Sequence, residues 1–328
     1  MQRTITIDHG NRLIKTANHI FPESYVESGY LPGIGSDVLK HNGKTYTLVD
    51  QSLPVLNDKT EDERYFILTL FALGKELEED AETLRKLSTN PNDFIKVNLL
   101  VGLPLQHYET YRKRFQRYFT QHQEPIIYEL NNKSYKIKIT SAHVYPQAFA
   151  AALTAHNEIK HSNTVNVIDI GGFTVDCLQL NNFRPNMTLC TSLYLGVRTL
   201  FDKINEQARA TGGKDIADNI IESILNNEPH ALAEYSEKRI NLVQNTAYTY
   251  ADRMLAEVAQ KGFDLEEDRT VFMGGGAILM KKYILESNRA KKSLFIDDVR
   301  ANAKGYAILH EMKNHTGSHA RNIANGGE

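Results

Sequence analysis

One pattern occurs twice in this chain and restricts its fold more than any other feature. An apolar strand ends in aspartate, a glycine turn follows, and a second strand runs back. The first copy is Thr4 to Asp8, then His9-Gly10, then Arg12 to Asn18. The second is Val165 to Ile170 with Asp169 near its end, then Gly171-Gly172, then Thr174 to Leu180. Each copy opens its own run of alternating strands and helices. The repeat therefore predicts an α/β protein of two related lobes with mixed sheets, joined by a helix and flanking a cleft. A chain of 328 residues has room for two such domains.

The rest of the pattern fills in both halves. Gly43 to Val49 reads as a strand, and Glu61 to Glu79 carries apolar residues at helical spacing. Ile95 to Val101 is a short apolar run, as a buried strand would be, and it ends in Gly102-Leu103-Pro104. A helix is expected over about Gln106 to Thr120, with a solvated basic face and an aromatic core face. Strands follow at Ile126 to Leu130 and Tyr135 to Thr140. Tyr145 to Ile159 is Ala-rich and reads as the linking helix, with Pro146 in its first turn. In the second half, helices are expected at Val197 to Arg209, Asp215 to Leu225, Leu232 to Lys261 and Asp298 to Met312. Strands are expected at Met187 to Leu193, Thr270 to Met273 and Leu294 to Ile296. The tail from Lys313 reads as disordered. The lobe boundaries are set at 1–145 plus 307–328 for the first and 146–306 for the second.

The glycine turns carry the chemistry. Backbone N–H groups in a tight turn make a concave anion site, and a lysine one strand away, Lys15, can reach the same anion as a point charge. A strand-end aspartate can accept from Mg²⁺-bound water, since Mg²⁺ keeps much of its hydration shell. In the second copy Thr174 and Asp176 alternate and can share one face. A third glycine turn, Gly274-Gly275-Gly276, lies between a strand and a helix, where backbone can approach a ligand closely.

These residues, in this order, resemble the actin-like ATPases, within the wider superfamily of actin, heat-shock chaperones and sugar kinases. They look most like the ParM-like plasmid-segregation actins. The first phosphate loop resembles Asp8-His9-Gly10 through Lys15, the second Asp169-Ile170-Gly171-Gly172-Phe173-Thr174, and the adenosine loop Gly274-Gly275-Gly276. Val101-Gly102-Leu103-Pro104 and Ala301-Asn302-Ala303-Lys304-Gly305-Tyr306 are also similar to ParM-type chains. The resemblance implies that Asp8 and Asp169 hold Mg²⁺ through water. It implies that Gly10, Asn11 and Lys15 bind the β- and γ-phosphates, with Gly171, Gly172 and Thr174 on the other side. Gly274 and Gly275 would pack against the nucleoside, and Gly196 would line the cleft. Asn11 departs from the Ser or Thr common among relatives. Gln147 stands where the family places its water-orienting residue. A Gln amide cannot act as a base but can orient water.

The implied activity is an ATPase coupled to polymerisation, with ATP and Mg²⁺ as cofactors and GTP left open. The implied partners are copies of itself and a DNA-binding adaptor of ParR type, so that plasmid DNA is reached indirectly. A formal net charge of -2 offers no basic field for direct, sequence-independent DNA binding. Two cysteines, Cys177 and Cys190, without a CxxC pair, fit a reducing cytoplasm rather than a disulfide scaffold. No run of about 18 apolar residues exists to span a membrane, and the opening residues lack an apolar signal core. Filaments in the cytoplasm are expected. The rival readings are a small-molecule kinase of the same superfamily, for which Asp176 would be the base, and a cytoskeletal scaffold with no part in segregation.

Overall fold

The computed structural model describes residues 1–27, 35–51, 56, 58–78 and 93–324. The chain divides into two compact units, Met1–Thr154 with Asn302–Glu328, and Ala155–Ala301. These divisions fall nine and five residues from the expected 145/146 and 306/307.

The first unit is built on a nine-stranded mixed sheet. Its first strand, β1 (Gln2–His9), pairs antiparallel with β2 (Leu13–Thr16), and β2 with β3 (Ile20–Pro22). On its other side β1 runs parallel to the central strand Ile95–Leu103, which runs parallel to Lys133–Pro146. Four short strands, β4 (Tyr25–Glu27), β5 (Val38–His41), β6 (Lys44–Leu48) and Ile126–Leu130, extend this sheet. In chain order the strands that follow β6 are β7 (Ile95–Leu103), β8 (Ile126–Leu130) and β9 (Lys133–Pro146). Helix α1 (Arg64–Glu78) buries nearly every residue of its first three turns, and α2 (Leu105–Thr120) buries Phe115 and Phe119. The basic residues of α2 lie on its other faces, where Arg114 pairs with Asp58 at 2.7 Å. Short α3 (Phe149–Ala152) and a 3-10 turn at Leu153–Ala155 follow β9.

The second unit opens with α4 (His156–Ile159) and repeats the plan of the first. Its central strand β10 (Thr164–Ile170) pairs antiparallel with β11 (Val175–Asn181), which pairs antiparallel with β12 (Arg184–Leu193). On the other side β10 runs parallel to β13 (Arg269–Met273), and β13 parallel to β14 (Ser293–Phe295). The order β12-β11-β10-β13-β14, with two antiparallel pairs and then two parallel ones, matches β3-β2-β1-β7-β9 pair for pair. The duplication read from the two hairpins thus extends over five strands. Helices α5 (Val197–Ala210), α6 (Asp218–Leu225), α7 (Pro229–Glu234), α8 (Glu237–Gln260) and α9 (Gly275–Glu286) complete this unit. Its core joins Ile168, Phe201, Met254, Phe272 and Met280. The last helix, α10 (Ala301–Ala324), returns to the first unit.

Three expectations change. Tyr145 and Pro146 end strand β9 rather than starting a helix, because their backbone continues the parallel ladder with Gly102 and Leu103. The single helix expected over 232–261 is two, divided at Tyr235–Ser236, where Ser236 accepts from the Arg239 amide and caps α8. The tail expected to be disordered from Lys313 continues α10 to Ala324. Its Gly, Asn and Ser residues lower helix propensity by at most about 1 kcal/mol each, which does not forbid continuation.

Gly305 shows how closely α10 seats. A Cβ there would lie 2.0 Å from the Ala150 carbonyl oxygen, on α3. In an exposed helix Gly→Ala gains about 1 kcal/mol, but collision with backbone reverses the sign. Gly305→Ala should lower the denaturation midpoint by an amount equivalent to roughly 1–3 kcal/mol, read by urea unfolding of the full chain.

Candidate functional site

In the first unit the expected residues converge on Asp8. Its carboxylate sits at the end of β1, only 2% exposed. Gln147 Nε2 donates to Oδ1 at 2.7 Å, and the Tyr306 hydroxyl donates to the same oxygen at 3.3 Å. Lys15 faces Asp8 across the hairpin as its register partner, with Nζ 3.5 Å from Oδ2. Because a carboxylate only accepts, the contact fixes the orientation of the Gln147 amide and turns its carbonyl oxygen elsewhere.

The backbone delivers Gln147 by an uncommon turn. Its N–H donates to the Leu103 carbonyl, continuing the sheet, and Phe149 N–H then donates back to the Gln147 carbonyl at 2.6 Å. That closes a three-residue turn centred on Ala148, whose φ is +58° and ψ -53°. Such a γ-turn is rare and strained, and strain of this kind collects at functional sites. The turn is held by Asn302, whose Oδ1 accepts from the Ala148 N–H at 2.9 Å.

Tyr306 was part of a recognised stretch but was not expected at the site. It is fully buried, and a Cβ at Gly102 would lie 2.1 Å from its hydroxyl. Gly102 and Tyr306 are therefore one feature: the glycine leaves the room through which the phenol reaches Asp8. Nothing local in the sequence joins positions 102, 306 and 8.

His9, next to Asp8, faces the core. Its Nε2 and the Thr69 hydroxyl lie 2.8 Å apart, and its ring packs on Phe119, Tyr65 and Phe115. Burial, reinforced by the Lys59 charge, holds its pKa well below the ordinary 6.5.

In the second unit the loop Gly171–Thr174 is fastened by the start of α5. Val197 N–H donates to the Gly171 carbonyl at 3.1 Å, Arg198 N–H to Gly172 at 2.8 Å, and Gly196 N–H to Phe173 at 3.1 Å. The peptides are trans and planar, so each carbonyl turned to α5 turns the following N–H the opposite way. The amides of Gly172, Phe173 and Thr174 consequently face away from α5 together, an arrangement suited to an anion. Gly196 must be glycine, because a Cβ would lie 2.5 Å from the Phe173 backbone.

Asp169 and Asp176 are register partners across the β10–β11 hairpin, the positions that Asp8 and Lys15 hold in the first unit. Thr174 Oγ1 donates to Asp176 Oδ2 at 3.2 Å. Two carboxylates directly opposed on a sheet repel, which suits a site that takes up a cation. Gly274 has φ +88°, and a Cβ there would lie 2.4 Å from Asp169 Oδ1. A Cβ on Gly275 would meet nothing within 4 Å, so its backbone is open to approach. Cys177 is buried beside Asp176, and burial raises its thiol pKa, leaving it unreactive.

Among the described residues no group of three or more His, Cys, Asp or Glu side chains is placed to hold a metal, and no helix is long and apolar enough to cross a membrane.

Comparison with known proteins follows the same division. The family described as actin-like proteins, N-terminal domain, matches residues 29–149, and that described as archaeal actin homologue MreB-like, C-terminal, matches residues 167–286. The chain belongs to the actin-like proteins. Among solved structures it is similar to Ta0583, an archaeal actin homologue, at 17% identity over 94% of this chain and 99% of that one, with a TM-score of 0.72. It is similar to the ParM of a 15-stranded filament from Clostridium botulinum at 18% identity, covering 95% and 100% of the two chains, with a TM-score of 0.70. An AlfA filament bound to AMPPNP matches at 16% identity over 95% and 98%, with a TM-score of 0.59. At these identities the likeness is one of fold. A search of curated proteins returns no match.

Two outcomes follow. As pH falls through the ordinary histidine range, the unfolded chain takes up a proton that His9 refuses in the fold, so stability is lost on acidification. The slope due to His9 should approach about 1 kcal/mol per pH unit, and urea titrations between pH 7 and 5 should show a flatter dependence for His9→Gln. Gly274→Ala combines a positive φ with a collision at Asp169. It should cost roughly 1–3 kcal/mol in the same assay.

Proposed function

We propose that this chain binds Mg²⁺ and a nucleoside triphosphate, hydrolyses it, and couples that cycle to assembly into filaments that segregate plasmid DNA through a DNA-binding adaptor. The observation that carries this reading is the paired design of the two hairpins. Each unit carries a carboxylate at the end of its hairpin's first strand beside a glycine turn, and in the second unit three successive amides share one direction. Two such devices in one chain suit a polyphosphate better than a single phosphate ester. ATP is the proposed nucleotide.

In this reading Gly10, Asn11 and Lys15 bind the β- and γ-phosphates, and Gly171, Gly172 and Thr174 are the phosphate-binding residues of the second unit. Gly274 and Gly275 pack against the nucleoside, and Gly196 keeps the second loop in place. Asp8 and Asp169 accept from waters of Mg²⁺, whose charge offsets that of the phosphates. Lys15, 3.5 Å from Asp8, adds a positive charge near the phosphates.

Gln147 positions the attacking water. Its amide nitrogen is committed to Asp8, so its carbonyl oxygen is the acceptor that a water can use. It takes no proton itself, because an amide is not a base at neutral pH. Orientation without proton removal predicts slow turnover. The filament reading draws support from relatives whose structures are filaments, and the adaptor reading from the ParM-like motifs. A nearly neutral chain suits indirect contact with DNA.

The test is sedimentation and light scattering of the full chain with Mg·ATP, Mg·ADP and no nucleotide, with phosphate release followed in parallel. Triphosphate-dependent pelleting with phosphate release lagging assembly is the expected result. Steady turnover that requires a small hydroxylated acceptor, without assembly, would identify a kinase instead. Gln147→Ala should lower phosphate release by roughly tenfold to a hundredfold while ATP binding persists, as a lost positioning contact predicts. Wild-type turnover by that variant would remove Gln147 from the reaction.

A further inference from the structure

The two glycine loops are held from behind by different means. In the second unit helix α5 takes the loop carbonyls. In the first, no helix start lies behind the loop among its described contacts. There the His9 carbonyl accepts instead from the side-chain ammonium of Lys59. Lys59 is only 6% exposed, with Nζ 5.0 Å from the centre of the Tyr65 ring. A lysine buried to this degree costs several kcal/mol unless its charge is matched and its donors used.

A carboxylate is close by. Glu23, 4% exposed, lies 3.7 Å from Arg64; burial raises its carboxyl pKa, and a hydrogen bond from Tyr65 with the Lys59 and Arg64 charges opposes that rise. The Tyr65 hydroxyl also lies 3.5 Å from Asn11 Oδ1, on the far side of Gly10. The short turn that carries Lys59 is itself fixed. Asp58 Oδ1 accepts from the Thr60 N–H at 2.9 Å and its hydroxyl at 2.6 Å, and the Asp58 carboxylate pairs with Arg114.

We infer that Lys59, with Glu23 as its counter-charge and Tyr65 as its neighbour, is a positioning residue for nucleotide phosphate: it pins the His9 carbonyl and thereby aims the Gly10 amide. The peptide between His9 and Gly10 is trans and planar. With its carbonyl held inward by a full positive charge, its N–H points outward. A reversed peptide would present the carbonyl oxygen where an anion must sit, and it would break the hydrogen bond from the Lys59 ammonium. Lys59 thus does with one charge what the first turn of α5 does with three amides. It acts through the loop rather than on the phosphate, which separates it from Lys15.

This inference rests on the nucleotide-binding reading above, and the experiment separates the two. Binding of ADP and of adenosine to the full chain is measured by calorimetric titration in Mg²⁺. Failure of the wild type to bind ADP would overturn the nucleotide reading itself. With wild-type binding in hand, Lys59→Met should weaken ADP by roughly tenfold or more, as expected for loss of a charged hydrogen bond that orders a donor. Adenosine, which has no phosphate, should change by less than about twofold. Lys59→Arg should recover most of the loss. Unchanged ADP affinity in Lys59→Met, or an equal loss for ADP and adenosine, would overturn the role. Tyr65→Phe keeps the ring and the core and serves if Lys59→Met does not fold. It should give a smaller loss confined to ADP, and an equal loss for both ligands would count against the clamp.

Discussion

A peptide plane cannot turn its carbonyl one way without turning the next N–H the other. Both glycine hairpins depend on that constraint. In the second unit, helix α5 begins immediately beside the loop and takes the carbonyls of Gly171, Gly172 and Phe173. This consumes helix-start donors that would otherwise lack partners and orients three amides at once. The glycine at 196 is the condition for it, since any side chain there would strike the loop. The direction of the loop amides is therefore a consequence of how a helix end is satisfied.

In the first unit the same need meets a different environment. Asp8 is only 2% exposed and must be surrounded by donors to remain so. Gln147, Tyr306 and Lys15 supply them from three distant parts of the chain. Each contact imposes a local peculiarity: a γ-turn at Ala148, a missing side chain at Gly102, and a register that sets Lys15 opposite Asp8. These features look unrelated along the sequence and share one cause. The cost of burying an unpaired carboxylate exceeds that of a strained turn, so the strain persists.

The two hairpins are alike in path and unlike in charge. At equivalent register positions the first pairs Asp8 with Lys15, and the second pairs Asp169 with Asp176. A duplicated scaffold has thus been given an ion pair on one copy and a like-charged pair on the other. The first copy sets opposite charges face to face, and the second sets like charges face to face. The sheet order common to both units sets this geometry, because it places each carboxylate at the end of a strand flanked by one antiparallel and one parallel neighbour.

The repeat of strand, aspartate, glycine and return strand was legible in the sequence by itself, and with it the α/β class, the two halves and the hairpin positions of Asp8, Lys15, Asp169 and Gly171; the turn at Gly274 was a separate glycine signal. Those signals are local: alternation, an apolar run and a turn residue are set by neighbours along the chain. The sequence misplaced Tyr145 and Pro146, because pairing with Gly102 and Leu103 overrides a helical pattern rich in alanine. It could not show that Tyr306 and Gly102 serve Asp8, that Ala148 carries a positive φ, or that Lys59 lies behind His9. Those facts depend on contacts between residues separated by as many as 298 positions, and contacts of that kind exist only once the sheet has brought the segments together. Periodicity decided which elements form; burial of charge, settled only in three dimensions, decided which side chains meet.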